Sequence, residues 1–128
     1  MDNPKFDLTT QEGLISAQQQ LKDLKTSSKI AGLIIDVDIE GIVKELINAI
    51  SRAFDRVIDL FDDTKKLEKQ MELAIKTIEI CKATGAKSID ITLNSKNGGS
   101  LKLFLKKIDA TIGGELKKDN TITYNIKF

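Results

Sequence analysis

From Ile42 to Thr84 the chain contains neither glycine nor proline, and its apolar residues return every seven positions. Val43, Ile50, Val57, Thr64, Met71 and Ile78 fill one position of the repeat, and Leu46, Ala53, Leu60, Leu67, Ala74 and Cys81 fill another. Ile47, Phe54, Phe61 and Ile75 widen the stripe beyond what a two-stranded coiled-coil seam uses. The pattern predicts amphipathic helix over residues 41–83. At about 1.5 Å per residue such a helix is a rod of roughly 64 Å, whereas a compact chain of this length is about 36 Å across. Another chain or an N-terminal helix must cover the overhang, or the segment folds back near Asp62–Thr64.

The charges around "FDDTKK" favour continuity. A break within this stretch would place Asp59, Asp62 and Asp63 at a helix C-terminus and Lys65 and Lys66 at the next N-terminus, against both helix dipoles. An unbroken helix instead pairs Asp62 with Lys66, and Glu72 with Lys76, at i,i+4. One long helix is therefore the expectation and a hairpin the alternative. Val43, Leu46, Ile50, Val57, Leu60, Leu67, Met71 and Ile78 form the candidate oligomer or core seam.

The flanks read differently. Residues 1–8 carry no periodic signal and are expected to be flexible. "TTQE" has the spacing of a capping box beginning at Thr9, and Leu14, Ala17, Leu21 and Leu24 then give one apolar stripe, which predicts a helix over 9–25. From Ile30 the period becomes two: Leu33, Ile35, Val37 and Ile39 alternate with Ile34, Asp36, Asp38 and Glu40, predicting a strand over 30–39. Period two returns after Gly85, through Ile89, Ile91 and Leu93, then Leu101, Leu103 and Leu105, then Ile108, Ala110 and Ile112 on the opposite parity, and finally Ile122, Tyr124, Ile126 and Phe128. Asn97-Gly98 reads as a hairpin turn, Lys106-Lys107 as a β-bulge, and Lys118-Asp119-Asn120 as a turn. The expected class is α+β: an N-terminal helix, one strand, a long helix, and an antiparallel meander of three to four strands over 87–128, in a single domain of 128 residues.

Composition narrows function chiefly by exclusion. The chain has no histidine, so imidazole bases, shuttles and metal ligands are ruled out. The one cysteine, Cys81, cannot form an internal disulfide, and a reducing cytosol fits it best. At the seam position it is expected to be a small hydrophobe. "MDNPKFDLTT" lacks the basic and apolar regions of a signal peptide, and no window is apolar enough to span a membrane. Net charge is +1, yet residues 1–80 hold eleven basic and fifteen acidic groups while residues 81–128 hold nine and four. That asymmetry can orient a partner but falls short of the dense basic field of a nucleic-acid binder.

The stretch "GLIIDVDIE" carries the one motif that looks like chemistry. An apolar strand followed by Asp36-x-Asp38 resembles the first motif of the haloacid-dehalogenase-type phosphatases, which implies a nucleophilic and a proton-handling aspartate. Those enzymes place threonine or valine where this chain has Glu40, and they need a lysine and a later acidic pair on a parallel sheet. The aspartates are therefore read as a solvated strand end and helix cap. A hard cation on Asp36, Asp38 and Glu40 would need further ligands, because alternate strand residues fan out over about 13 Å.

Lysines 102, 106, 107, 117 and 118 fall on the outer face and turns of the meander. Their ordinary meaning is a guarded sheet edge, and their sharper one is a candidate anion-binding surface. Two functions follow. The first is a non-catalytic, cytoplasmic interaction or assembly module, homo-oligomeric or bound to a partner protein, with the long helix as seam and no cofactor. The second is a binder of an anionic nucleotide or nucleic acid through the lysines. Helix-plus-meander modules occur in bacterial multi-protein systems, an analogy that assigns no residue.

Overall fold

The computed structural model describes residues 4–31, 37–60 and 62–128. Its elements run β1 (Lys5–Asp7), α1 (Gln11–Ala31), α2 (Val37–Ile58), α3 (Asp63–Ala83), β2 (Ser88–Asn94), a 3-10 turn (Ser95–Asn97), α4 (Gly98–Lys107), β3 (Thr111–Lys118) and β4 (Thr121–Lys127). The sheet order is β1-β2-β4-β3, with β1 parallel to β2 and the other pairings antiparallel. The class is α+β, as the change of period foretells.

The sheet is amphipathic because its strands alternate. Ile89, Ile91 and Leu93 of β2 and Ile122, Tyr124 and Ile126 of β4 are buried on one face. They meet Leu14, Ala17 and Leu21 of α1, Ile47, Ile50 and Phe54 of α2, and Leu73, Ala74, Ile78 and Cys81 of α3 in one core. The opposite face stays polar. There the Thr92 and Thr123 hydroxyls hydrogen-bond at 2.7 Å and Asn125 donates to Asp90 at 2.8 Å.

The long segment is a hairpin, not one helix. α2 ends at Ile58 and α3 begins at Asp63, with Asp62 in extended backbone accepting from the Thr64 amide at 2.9 Å. Asp59 does follow the end of α2, and Lys65 and Lys66 do stand in the first turn of α3, but Asp62 falls at a helix start and not at a helix end. Asp62 then caps a helix start, where an acidic side chain is favoured. The heptad does not survive as one surface: Ile50, Val57 and Ile78 are in the core, Met71 packs against it, and Leu60 and Leu67 are half-buried. Leu46 is 40% exposed, and Val43 lies in the part of α2 where only the backbone is described.

The buried face of α3 also takes in two polar residues that the apolar repeat passes over. Thr77 donates to the Leu73 carbonyl at 2.7 Å. Gln70, 3% exposed, donates to the Leu8 carbonyl at 2.9 Å and accepts from the Asn97 side chain at 2.8 Å, tying together the ends of β1, α3 and the 3-10 turn.

Six further expectations are corrected. Residues 4–8 are tied to the sheet: Phe6 and Leu8 are buried, the Asp90 amide donates to the Pro4 carbonyl at 2.8 Å, and the Leu8 amide donates to the Thr92 carbonyl at 2.9 Å. A strand of three residues is too short to show periodicity. The α1 cap is Thr10, which accepts from the Gly13 amide at 2.9 Å, while the Thr9 hydroxyl turns to Asp7. The helix also runs on past residue 25 to Ala31.

The expected strand over 30–39 is helix at both described ends, Ile30 and Ala31 in α1 and Val37–Ile39 in α2; residues 32–36, Asp36 among them, lie outside the described residues. Ile39, Ile42 and Leu46 already follow helical steps, so α2 propagates back at little cost. Finally, α4 replaces the hairpin expected at Asn97-Gly98 and the bulge at Lys106-Lys107. Leu101 and Leu105 are buried one helical turn apart, while Leu103 is 64% exposed. The sheet's irregularity lies in β3, between Ile112 and Gly114.

Candidate interaction edge

A sheet has two edges, and here they are treated unlike each other. At β1 the outward carbonyls are covered by α1: Gln20 donates to the Lys5 carbonyl at 2.7 Å, and Gly13 lies so close to Asp7 that a Cβ there would sit 2.3 Å from the Asp7 carbonyl oxygen. At β3 all eight residues are exposed. Among the described residues β3 pairs only with β4, so half of its main-chain donors and acceptors face outward.

Pairing across the ladder shows which way each β3 side chain points. Glu115 lies opposite Tyr124 and Lys117 opposite Ile122, on the helix side. Leu116 lies opposite Thr123 on the polar side and is 64% exposed, an apolar residue among threonines and asparagines. Ile112 is 36% exposed.

α4 fixes the helix side of this edge. Lys102 ion-pairs with Glu115 at 3.4 Å, and its ammonium stands 5.8 Å from the centre of the Tyr124 ring. Burial pushes the Tyr124 hydroxyl above its ordinary pKa; the Lys102 charge opposes that shift and the Glu115 charge adds to it. Gly98 lets α4 start directly over this ring, since a Cβ there would be 2.9 Å from the Tyr124 hydroxyl oxygen.

The five candidate lysines do not converge. Lys102 is engaged with Glu115, Lys106 and Lys107 close α4 beside the start of β3, and Lys117 and Lys118 stand at the strand's other end. At about 3.3 Å per residue that strand separates the two pairs by roughly 20 Å.

The remaining candidates are dispersed too. Asp38 and Glu40 sit in the first turn of α2, and among the described residues no three carboxylate or cysteine groups cluster as metal ligands. Cys81 is fully buried, and desolvation pushes its thiol up to about 12. A cleft between the start of α1 and α3 is lined by Thr10, Leu14, Lys66, Gln70 and Asn94. Gln70 and Asn94 in it are already bonded to each other. No described helix is long and apolar enough to cross a membrane.

Sequence reasoning missed Glu115 and Leu116. The signal available was "TIGGELKK", in which a lone leucine sits between a glycine pair and a lysine pair. What fold and edge define is an α+β module with helices on one face of a mixed sheet, one edge closed and the other open. No protein-family model matches the chain, and no curated protein or solved structure matches it significantly.

Proposed function

We propose that this protein is a non-catalytic assembly module of the reducing cytosol that joins protein to protein through the open edge of its sheet. One observation carries the reading: every residue of an eight-residue edge strand is exposed, on a sheet whose other edge is closed by a helix. Free edges are aggregation hazards that proteins usually shorten, cover or bury, and extending a sheet by one strand is a general mode of recognition. The helical hairpin supports this role by filling the core instead of offering a continuous seam. The separation of the lysines weighs against a dedicated anion site.

The protein should be isolated from its own host and its mass measured by light scattering at low and high salt, with and without added nucleic acid. Assembly is expected as a mass above that of one chain, insensitive to nucleic acid. A single chain that gains mass only with nucleic acid, and loses it in salt, would overturn the reading in favour of anion binding. A single chain under every condition would overturn it outright.

A further inference from the structure

β3 carries one triplet, Glu115-Leu116-Lys117, that is charge-complementary to its own reverse. Two copies of an edge strand related by a two-fold axis pair residues placed symmetrically about that axis. With the axis at Leu116, Leu116 faces Leu116 of the partner subunit, Glu115 faces Lys117 of the partner subunit, and Lys117 faces Glu115 of the partner subunit. Moving the axis to Glu115 sets that carboxylate against its own copy; moving it to Lys117 does the same with the ammonium. Like charges directly opposite are destabilising and unlike charges favourable, so among these three registers charge favours the one centred on Leu116.

We infer that β3 pairs antiparallel with β3 of a second copy of this chain, with the axis through Leu116, so that two sheets join into one. This deepens the assembly reading and rests on it.

Three independent features agree with this register. The first is the extent of regular strand. The irregularity between Ile112 and Gly114 leaves Gly114–Lys118 as the unbroken stretch, and Leu116 is its middle residue. The second is hydrogen-bond phase. Asp119 and Asn120 close a two-residue turn after Lys118, so Lys118 and Thr121 are the bonded pair that flanks it, and alternation then directs the main-chain groups of Glu115 and Lys117 to the open side. Those are the residues that face each other across the axis, and Leu116 falls in the wider-bonded position where opposed side chains come closest.

The third feature is the division of faces. The two Glu115–Lys117 pairs lie on the helix side, where Lys102 already holds Glu115 at 3.4 Å. The two Leu116 side chains lie on the polar side, where they cover each other and remove the one large apolar side chain that β3 exposes there. Lysines and an irregularity are also the devices that guard an edge against arbitrary strands. In this register a second copy meets both guarding charges with opposite ones, Lys117 against Glu115 and Glu115 against Lys117.

The test uses the full chain and light scattering at low salt. The wild type should have twice the chain mass. Glu115→Lys and Lys117→Glu, each alone, place like charges opposite one another twice across the axis and should run as single chains, with circular dichroism unchanged. Mixed in equal amounts, the two variants become complementary at both pairs and should form a heterodimer, resolved by native mass spectrometry. Leu116→Lys, at an exposed site, is the second probe should either charge variant fold poorly, and it too should give single chains. A wild type of single-chain mass, variants that dimerise as the wild type does, or a mixture that stays monomeric each overturn the pairing. Persistent dimers in the variants would leave the assembly reading standing, whereas a single chain isolated from the host removes that reading itself.

Discussion

Gln70 and Asn94 are joined by two hydrogen bonds that run in opposite senses: the Asn94 amide donates to Oε1 at 2.9 Å, and Nε2 donates to the Asn94 side-chain oxygen at 2.8 Å. With the bonds to the Leu8 carbonyl and the Asn97 side chain, one buried amide ties β1, α3, β2 and the 3-10 turn. Gln70→Leu would take the partner from the Leu8 carbonyl and from both Asn94 groups, while Asn97 keeps its bond to the Leu67 carbonyl. Each buried polar group left without a partner costs about 1–3 kcal/mol. The expected outcome is a loss of about 3 kcal/mol or more in urea unfolding, a large share of a small domain's stability. A loss below about 1 kcal/mol would show that the network contributes little.

Asp62→Ala removes the acceptor that holds the Thr64 amide. The loss should be about 1 kcal/mol, typical of an N-cap, while Asp62→Asn and Asp62→Ser should retain most of the stability. Thermal melts of the three variants check this. Equal losses in all three would mean that the side chain acts through charge or not at all.

Gly13→Ala separates intrinsic preference from packing. In an exposed helix alanine would gain about 1 kcal/mol over glycine. Here the new methyl would sit 2.3 Å from the Asp7 carbonyl oxygen and 2.8 Å from the Thr10 hydroxyl oxygen, so α1 must move off β1. The variant should be destabilised, by at least ~2 kcal/mol in chemical unfolding; any gain would contradict the close approach of α1 to β1.

Much of the fold was legible where one force acted alone. β2 and β4 alternate cleanly because each has one dry face and one wet one, and the change to period two after Gly85 located them. Two forces blurred the rest. Leu101, Leu103 and Leu105 satisfy a strand's period, yet Leu101, Phe104, Leu105 and Ile108 also satisfy a helix's. The choice fell to tertiary space, since Gly98 admits a helix over Tyr124. The break between α2 and α3 was hidden because a heptad can be kept across a turn. Gln70 was illegible as a core residue because its burial depends on partners up to 62 residues away in the chain. The interaction edge was half legible: its lysines stood out, but Glu115 gains meaning only when the ladder shows which residues share its side.

Cys81 should be inert to thiol reagents in the native state and react fully once unfolded, because it is completely buried. Its folded pKa is raised from 9.0 to about 12 by desolvation. The folded state therefore holds the thiol proton more tightly than the unfolded state, and this contribution is complete below about pH 9 and is lost as pH rises toward about 12. Tyr124 is shifted in the same direction. Melting temperatures of the wild type and Cys81→Ala across that range separate the two groups: the wild type should fall more steeply. Parallel curves would assign the alkaline loss to Tyr124 alone.

β1 and β2 lie side by side although α1, α2 and α3 all intervene between them in the chain. Neighbouring pairs such as β3 and β4 close through a two-residue turn, in microseconds for an isolated hairpin. Joining Phe6 to Ile91 means closing a loop that contains the whole helical hairpin, so it waits until the helices have collapsed. In hydrogen exchange, β1 should therefore open independently and at lower free energy than β2 and β4. Because Gln70 holds the Leu8 carbonyl at the end of that strand, the protein possesses a latch on its slowest-forming pairing, and loosening it would release β1 while the rest of the sheet stays folded.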